Sequence, residues 1–151
     1  MDFHIGPATS EDIDALVALL FALFSIEQDF VPDEVAQRRG LALLLAYPLQ
    51  GRIFVARHTQ QGVVGMVSAQ LVSSTAIGER SAWIEDMVVH EDFRGQGIGK
   101  ALLAHVSEWA KENRVGRLQL LADADNESAL GFYDQLGWQP TRLFAWKKIV
   151  L

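Results

Sequence analysis

Cysteine is absent from the 151-residue chain, which excludes disulfides, thiolate metal sites and a cysteine nucleophile. That absence fits a reducing cytoplasm. Long apolar runs are missing too. The longest, residues 16–24 and 41–47, fall short of the roughly 20 residues that cross a bilayer. Residues 1–4 lack the positive region and apolar core of a secretory signal. These absences predict a soluble, cytoplasmic protein with no membrane partner. Basic residues are scarce: 13 Lys and Arg stand against 19 Asp and Glu, for a net charge of −6. Binding to nucleic acid needs clustered cations, so no nucleic-acid partner is expected. The acidic balance is compatible with a cationic substrate, but plain solubility is the favoured reading of the charge. The four histidines, His4, His58, His90 and His105, show no paired ligand spacing, so no metal is expected. No repeat, low-complexity tract or Pro/Ser-rich linker divides the chain, so one domain over residues 1–151 is expected.

The apolar periodicity supplies the elements. Residues 3–5 read as a first strand. Ser10 or Asp12 can cap a helix carrying Ile13, Leu16, Val17, Leu20, Phe21 and Phe24 at three-and-four spacing. Pro32-Asp33-Glu34 opens a second helix that runs to about Tyr47, where Pro48 stops it. Residues 52–57 and 63–72 are β-rich runs joined by a hairpin at Thr59-Gln60-Gln61-Gly62, and residues 81–90 form a third run. After a glycine loop comes a helix with Ile98, Leu102, Val106 and Trp109 on one face. Residues 118–122 read as a strand, 126–136 as a helix ended by Gly137, and 143–150 as a closing strand. The order β-α-α-β-β-β-α-β-α-β describes an α/β fold of mixed type. An antiparallel meander is followed by two crossover units, giving a three-layer domain with helices on both faces of a central mixed sheet.

The chemistry-bearing motif is Arg94-Gly95-Gln96-Gly97-Ile98-Gly99, between a strand and a helix. The first amides of a helix lack intrahelical partners and point together at the positive end of the dipole. Glycines at 95, 97 and 99 remove every second Cβ and let phosphate oxygens approach the backbone, while Arg94 and Lys100 add positive charge. The expected ligand is a pyrophosphate. A P-loop is rejected, because three residues rather than four separate Gly95 from Gly99-Lys100, and Ala101 follows. A dinucleotide-binding oxidoreductase stays as an alternative reading. It is weakened because the third glycine comes one residue early, although Asp123 imitates the ribose-binding acid.

Arg94, Gly97 and Gly99 meet the signature of the GNAT superfamily of N-acetyltransferases, and the string from Val88 to Leu103 resembles the family throughout. A second block, Asn126, Ala129, Phe132-Tyr133 and Leu136-Gly137-Trp138, is similar to its asparagine-to-FY-to-G segment. The resemblance implies that acetyl-coenzyme A is the cosubstrate. The backbone of Met87, Val88 and Val89 would bond the pantetheine amides where a β-bulge splays the strand. Arg94, Gly95, Gln96, Gly97, Ile98, Gly99 and Lys100 would hold the pyrophosphate, and Asn126 and Ser128 would approach from the following helix. Homodimers are frequent in the family. A non-catalytic module that keeps the coenzyme A groove is the alternative from a different functional class.

Acetyl transfer to an amine needs a base for the acceptor, a donor for the thioester oxygen and an acid for the leaving thiolate. A backbone N–H at Val88 or Val89 can serve the oxygen. Trp83-Ile84-Glu85-Asp86 resembles a segment of the diamine and spermidine/spermine N-acetyltransferases. That likeness implies Glu85 as base, with Asp86 or a chain of waters as alternatives. Tyr133 sits where the family places its general acid; packing beside Phe132 is the structural alternative. Glu27, Asp29, Asp33 and Glu34 form an acidic stretch that suits an amine, helix capping or a solvated face. A small-molecule cationic amine is the expected substrate. Trp83, Trp109, Trp138 and Trp146 are expected in the core.

Overall fold

The computed structural model describes residues 2–27 and 29–151; Met1 and Gln28 lie outside them. The chain divides into two compact units, one ending at Leu120 and one formed by Leu121–Leu151.

The first unit carries a five-stranded sheet in the order β1-β2-β3-β4-β5, formed by Phe3–Pro7, Gly51–His58, Gly62–Ser74, Glu79–Val89 and Val115–Leu120. The first four strands are an antiparallel meander. β5 returns parallel to β4 through the crossover helix α3, Ile98–Glu112. Strand-rich segments joined by a short turn must pair antiparallel, while a parallel neighbour needs a long connection. The sheet is therefore mixed, as expected.

Two helices, α1 (Ile13–Ile26) and α2 (Glu34–Ala46), cover one face. Their core joins Leu16, Leu20 and Leu41 to Ile53, Val55, Met66 and Val88. Each such side chain taken from water contributes roughly 1.5–3 kcal/mol. Neighbouring strand residues point the other way. Phe54 accordingly meets His105 and Trp109 of α3, with ring centroids 4.8 and 6.0 Å away. A Cβ on Gly65 would touch Ile98 and Leu102 at 3.3 Å. The sheet thus has helices on both faces within this unit.

The helix starts differ in detail from expectation. Asp33 caps α2, accepting from the Ala36 N–H at 3.1 Å. Asp12 stands immediately before α1, and its side chain does not cap the helix. Its carboxylate turns back to the Thr9 N–H at 2.9 Å and takes Arg57 of β2 in a two-pronged ion pair, both contacts at 3.0 Å. The pair holds the turn before α1 against the sheet.

The second unit contains α4, Glu127–Gln135. Asn126 caps it through the Ala129 N–H at 3.1 Å. Gly137, at φ 87°, ends it. The Gly137 N–H reaches Asp134 O at 3.1 Å and the Trp138 N–H reaches Tyr133 O at 3.0 Å, a Schellman close that requires the left-handed residue.

The expected closing strand at 143–150 does not form: this stretch has no regular secondary structure. Leu143, Phe144, Ile149 and Val150 are largely exposed, and Trp146, expected in the core, is 95% exposed. The side chains are strand-formers, but a strand exists only where a partner accepts its hydrogen bonds, and no ladder includes these residues. The second crossover unit is thus left without its last strand.

Candidate functional site

β4 is where the sheet opens. Its pairing with β5 ends at Ile84↔Leu120, yet β4 continues to Val89. Along this unpaired stretch the register against β3 slips. Ser68 faces Glu85 and Met66 faces Val88, so Asp86 and Met87 together stand opposite Val67. That is a β-bulge, one extra residue in β4. It begins at Asp86, one residue earlier than the stretch the family resemblance assigns to it. The Ser68 hydroxyl donates to Glu85 O at 3.0 Å and pins the backbone there.

Beyond the bulge, hydrogen bonding to β3 resumes, with the His90 N–H on Val64 O at 2.8 Å. Bonded and unbonded positions alternate along an antiparallel pair. Val88 therefore spends its amide on β3, whereas the backbone groups of Val89 turn to the side where β5 has stopped. Arg94 uses that orientation: its Nε donates to Val89 O at 3.0 Å.

The glycine loop follows. Gly95 and Gly97 adopt φ of 76° and 84°, and Gly97 is the residue before α3. The Ala101 N–H bonds Gly97 O at 3.0 Å, so the amides ahead of it lie in the turn that has no intrahelical acceptor. A Cβ on Gly95 or Gly97 would meet nothing within 4 Å. The glycines are therefore required by backbone conformation, and the space above them is open. Arg94, Gln96 and Lys100 are exposed, while Ile98 is buried as an anchor against the sheet. His90 accepts the Asp92 N–H on Nδ1 at 3.1 Å and so shapes the turn into the loop.

A cavity of about 530 Å³ lies beside this loop, walled by Ala18 and Ala22 of α1 and by Val88, Glu91 and Arg94. Small side chains on α1 leave room there. The cavity, the opened β4 edge and the amides of α3 belong to one unit.

The two carboxylates of β4 are treated differently by the fold. Glu85 is exposed and Asp86 half-buried. Burial, with help from the charges of Glu85 and Glu27, pushes the Asp86 carboxyl up to about 6. Asp86 also takes φ 54°, the left-handed region, which L-residues other than Asn and Asp rarely enter.

In the second unit, Asn126 uses its side-chain oxygen on the helix cap, and Ser128 is exposed in the first turn of α4. Tyr133 packs edge-on against Phe132 and Trp138, at 5.3 and 5.9 Å. Among the described residues no group of three or more His, Cys, Asp or Glu is arranged to hold a metal ion. No helix there is long and apolar enough to cross a membrane. Sequence reading missed the Asp12–Arg57 pair and, although alternation along a strand sets Glu85 and Asp86 on opposite sides, left open which of the two is buried, since both are decided by register and burial.

Residues 20–138 match the model of the acetyltransferase (GNAT) family. The whole chain is similar to an uncharacterised N-acetyltransferase of Methanocaldococcus jannaschii, 33% identical over 98% of this chain and 66% of that protein. A shorter stretch is 46% identical to streptothricin acetyltransferase A of Bacillus subtilis, covering 36% of this chain and 34% of that one. The chain thus spans between about a third and two thirds of the length of these curated relatives. Among solved structures, a possible acetyltransferase from Clostridium difficile 630 superposes with a TM-score of 0.86 at 18% identity, over 100% of this chain and 99% of that one. That likeness speaks to the fold, and the family model speaks to descent: the chain belongs to the GNAT acetyltransferase family.

Proposed function

We infer that this chain moves the acetyl group of acetyl-CoA to the primary amine of a small cationic acceptor, by direct transfer. The observation that carries the reading is the continuity of three features: a β4 edge left open beyond Ile84, a bulge within it, and a glycine loop delivering free helix amides at its end. An extended amide-bearing arm fits the open edge, and a pyrophosphate fits the amides at residues 94–100.

The backbone of Met87, Val88 and Val89 borders the arm. The Val89 N–H, turned from β3, is the donor for the thioester oxygen. A carboxylate of the Glu85–Asp86 pair serves as base. From the resemblance, Tyr133 protonates the departing thiolate, and Asn126 and Ser128 complete the cofactor contacts. With no cysteine in the chain, the most nucleophilic side chain for holding an acyl group is missing, which favours direct attack by the amine.

Three carboxylates that interact at one place, Glu27, Glu85 and Asp86, favour a cationic acceptor over a neutral one. The streptothricin acetyltransferase among the relatives supports a small molecule rather than a protein.

The test is thiol release from acetyl-CoA with polyamines, aminoglycosides, amino acids and lysine peptides as acceptors, with Tyr133→Phe run in parallel. Acceptor-dependent release that falls at least about tenfold in the variant supports reaction and acid together. Tight coenzyme A binding without release from any acceptor would make the chain a sensor module. Absence of coenzyme A binding refutes the reading.

A further inference from the structure

We propose that Asp86, set out of the regular strand by the β4 bulge, is the catalytic base that takes the proton from the attacking amine. The inference rests on the acetyl-transfer reading above. It departs from the residue implied by family resemblance, which is Glu85.

Three observations on geometry carry it. Asp86 is the extra residue itself, sharing Val67 with Met87 as its opposite number. A bulge re-aims the side chain it carries. Asp86 also lies beyond Ile84↔Leu120, in the stretch of β4 that has lost its β5 neighbour. Finally, it is held at φ 54°, and among the described residues only Arg114 is another non-glycine at positive φ. Such backbone strain persists where surrounding structure enforces it, here through the Ser68 hydroxyl on Glu85 O.

The surroundings suit the role. Asp86 is half-buried, while Glu85 stands in water. The charged groups that act on Asp86 are Glu85 on its own strand and Glu27 at the end of α1, and both are negative. The residues opposite on β3, Val67 and Ser68, carry no charge. Burial and these two charges lift the carboxyl to about 6, close to neutral pH, where a base is both ionised and able to accept a proton.

The acceptor ammonium first loses one proton to solvent. The amine lone pair forms the N–C bond to the thioester carbonyl carbon as the C–S bond breaks. The proton that nitrogen must then shed passes to an Asp86 Oδ, and the sulfur leaves as thiolate, protonated by the acid named above or by water.

The experiment is the pH profile of kcat/KM for acceptor-dependent thiol release between pH 5 and 9, for wild type, Asp86→Asn, Glu85→Gln and Glu27→Gln. Acetyl-CoA affinity and far-UV circular dichroism are measured for each. Asn is isosteric and tolerates positive φ, so a purely structural Asp86 survives that substitution. We expect Asp86→Asn to lose about 100-fold or more in kcat/KM and to lose the acidic limb near pH 6, with acetyl-CoA still bound. Glu85→Gln and Glu27→Gln each keep that limb and move it to lower pH, because each removes one charge that raises Asp86. Asp86→Asn activity within about tenfold of wild type, or disappearance of the limb in Glu85→Gln instead, overturns the assignment. Wild type without acceptor-dependent release refutes the acetyl-transfer reading, and the inference with it.

Discussion

Asp86 illustrates how one residue can be a liability to the fold and an asset to the site. Its carboxyl binds a proton more tightly in the folded chain than in the unfolded one, so stability declines as pH rises from about 4 to about 6 and stays lower above that. Asp86→Asn should therefore stabilise the protein at pH 7 by about 1–3 kcal/mol, and the part due to charge should vanish near pH 4. Thermal unfolding at the two pH values checks this; an equal gain at both would mean that only the preference of Asn for positive φ is at work. The glycine loop makes a second residue-scale case. Gly97→Ala meets open space but must hold φ 84°, so it should lose about 1–2 kcal/mol in urea unfolding, with no clash to relieve. The need for glycine there was legible from the spacing of three glycines after a strand. Which of Glu85 and Asp86 is the buried one was not, because alternation only sets them on opposite sides until the bulge and the α1 terminus distinguish them.

At the scale of elements, most boundaries follow from punctuation in the sequence. Pro32-Asp33 opens α2 and Gly137 closes α4, each through the local hydrogen bonds that those residue types make. Asp12 is the exception: it looks like a helix cap and instead ties the turn before α1 to β2 through Arg57. The nearest sequence sign was an acid before an apolar helix, which says nothing about a partner 45 residues away. Asp12 is 7% exposed, and the guanidinium beside it holds its carboxyl below the usual range. Its contribution is present above the ordinary carboxylate pKa near 4 and is lost as pH falls through the lowered value. Asp12→Ala should cost about 3 kcal/mol at pH 7, since Arg57 is left facing a partly buried gap. The difference from wild type should shrink towards pH 2 in denaturant titrations. A gap independent of pH would show that packing, not charge, holds this turn.

Over the whole molecule, the exposed segment 143–150 stands out. Leu143, Phe144, Trp146, Ile149 and Val150 present apolar surface to water, and a β-prone stretch in that state invites association between chains. Replacing Phe144 and Trp146 with lysine should lower light scattering at high protein concentration and shift the thermal midpoint by no more than about 2 °C, roughly 0.5 kcal/mol. Scattering unchanged by the substitutions would mean that this surface is not what chains share. The segment also marks the boundary between two kinds of information. The string of residues was enough for the order of helices and strands up to α4, for the glycine loop and for the family, because each depends on local spacing, turn chemistry or a contiguous motif. The assembled chain was needed for everything set by contacts distant in sequence: the place where β4 loses β5, the residue on which the bulge falls, the partner of Asp12, and whether a strand-like segment finds a strand to pair with. Periodicity records which face a residue shows; only pairing and burial determine what stands opposite it.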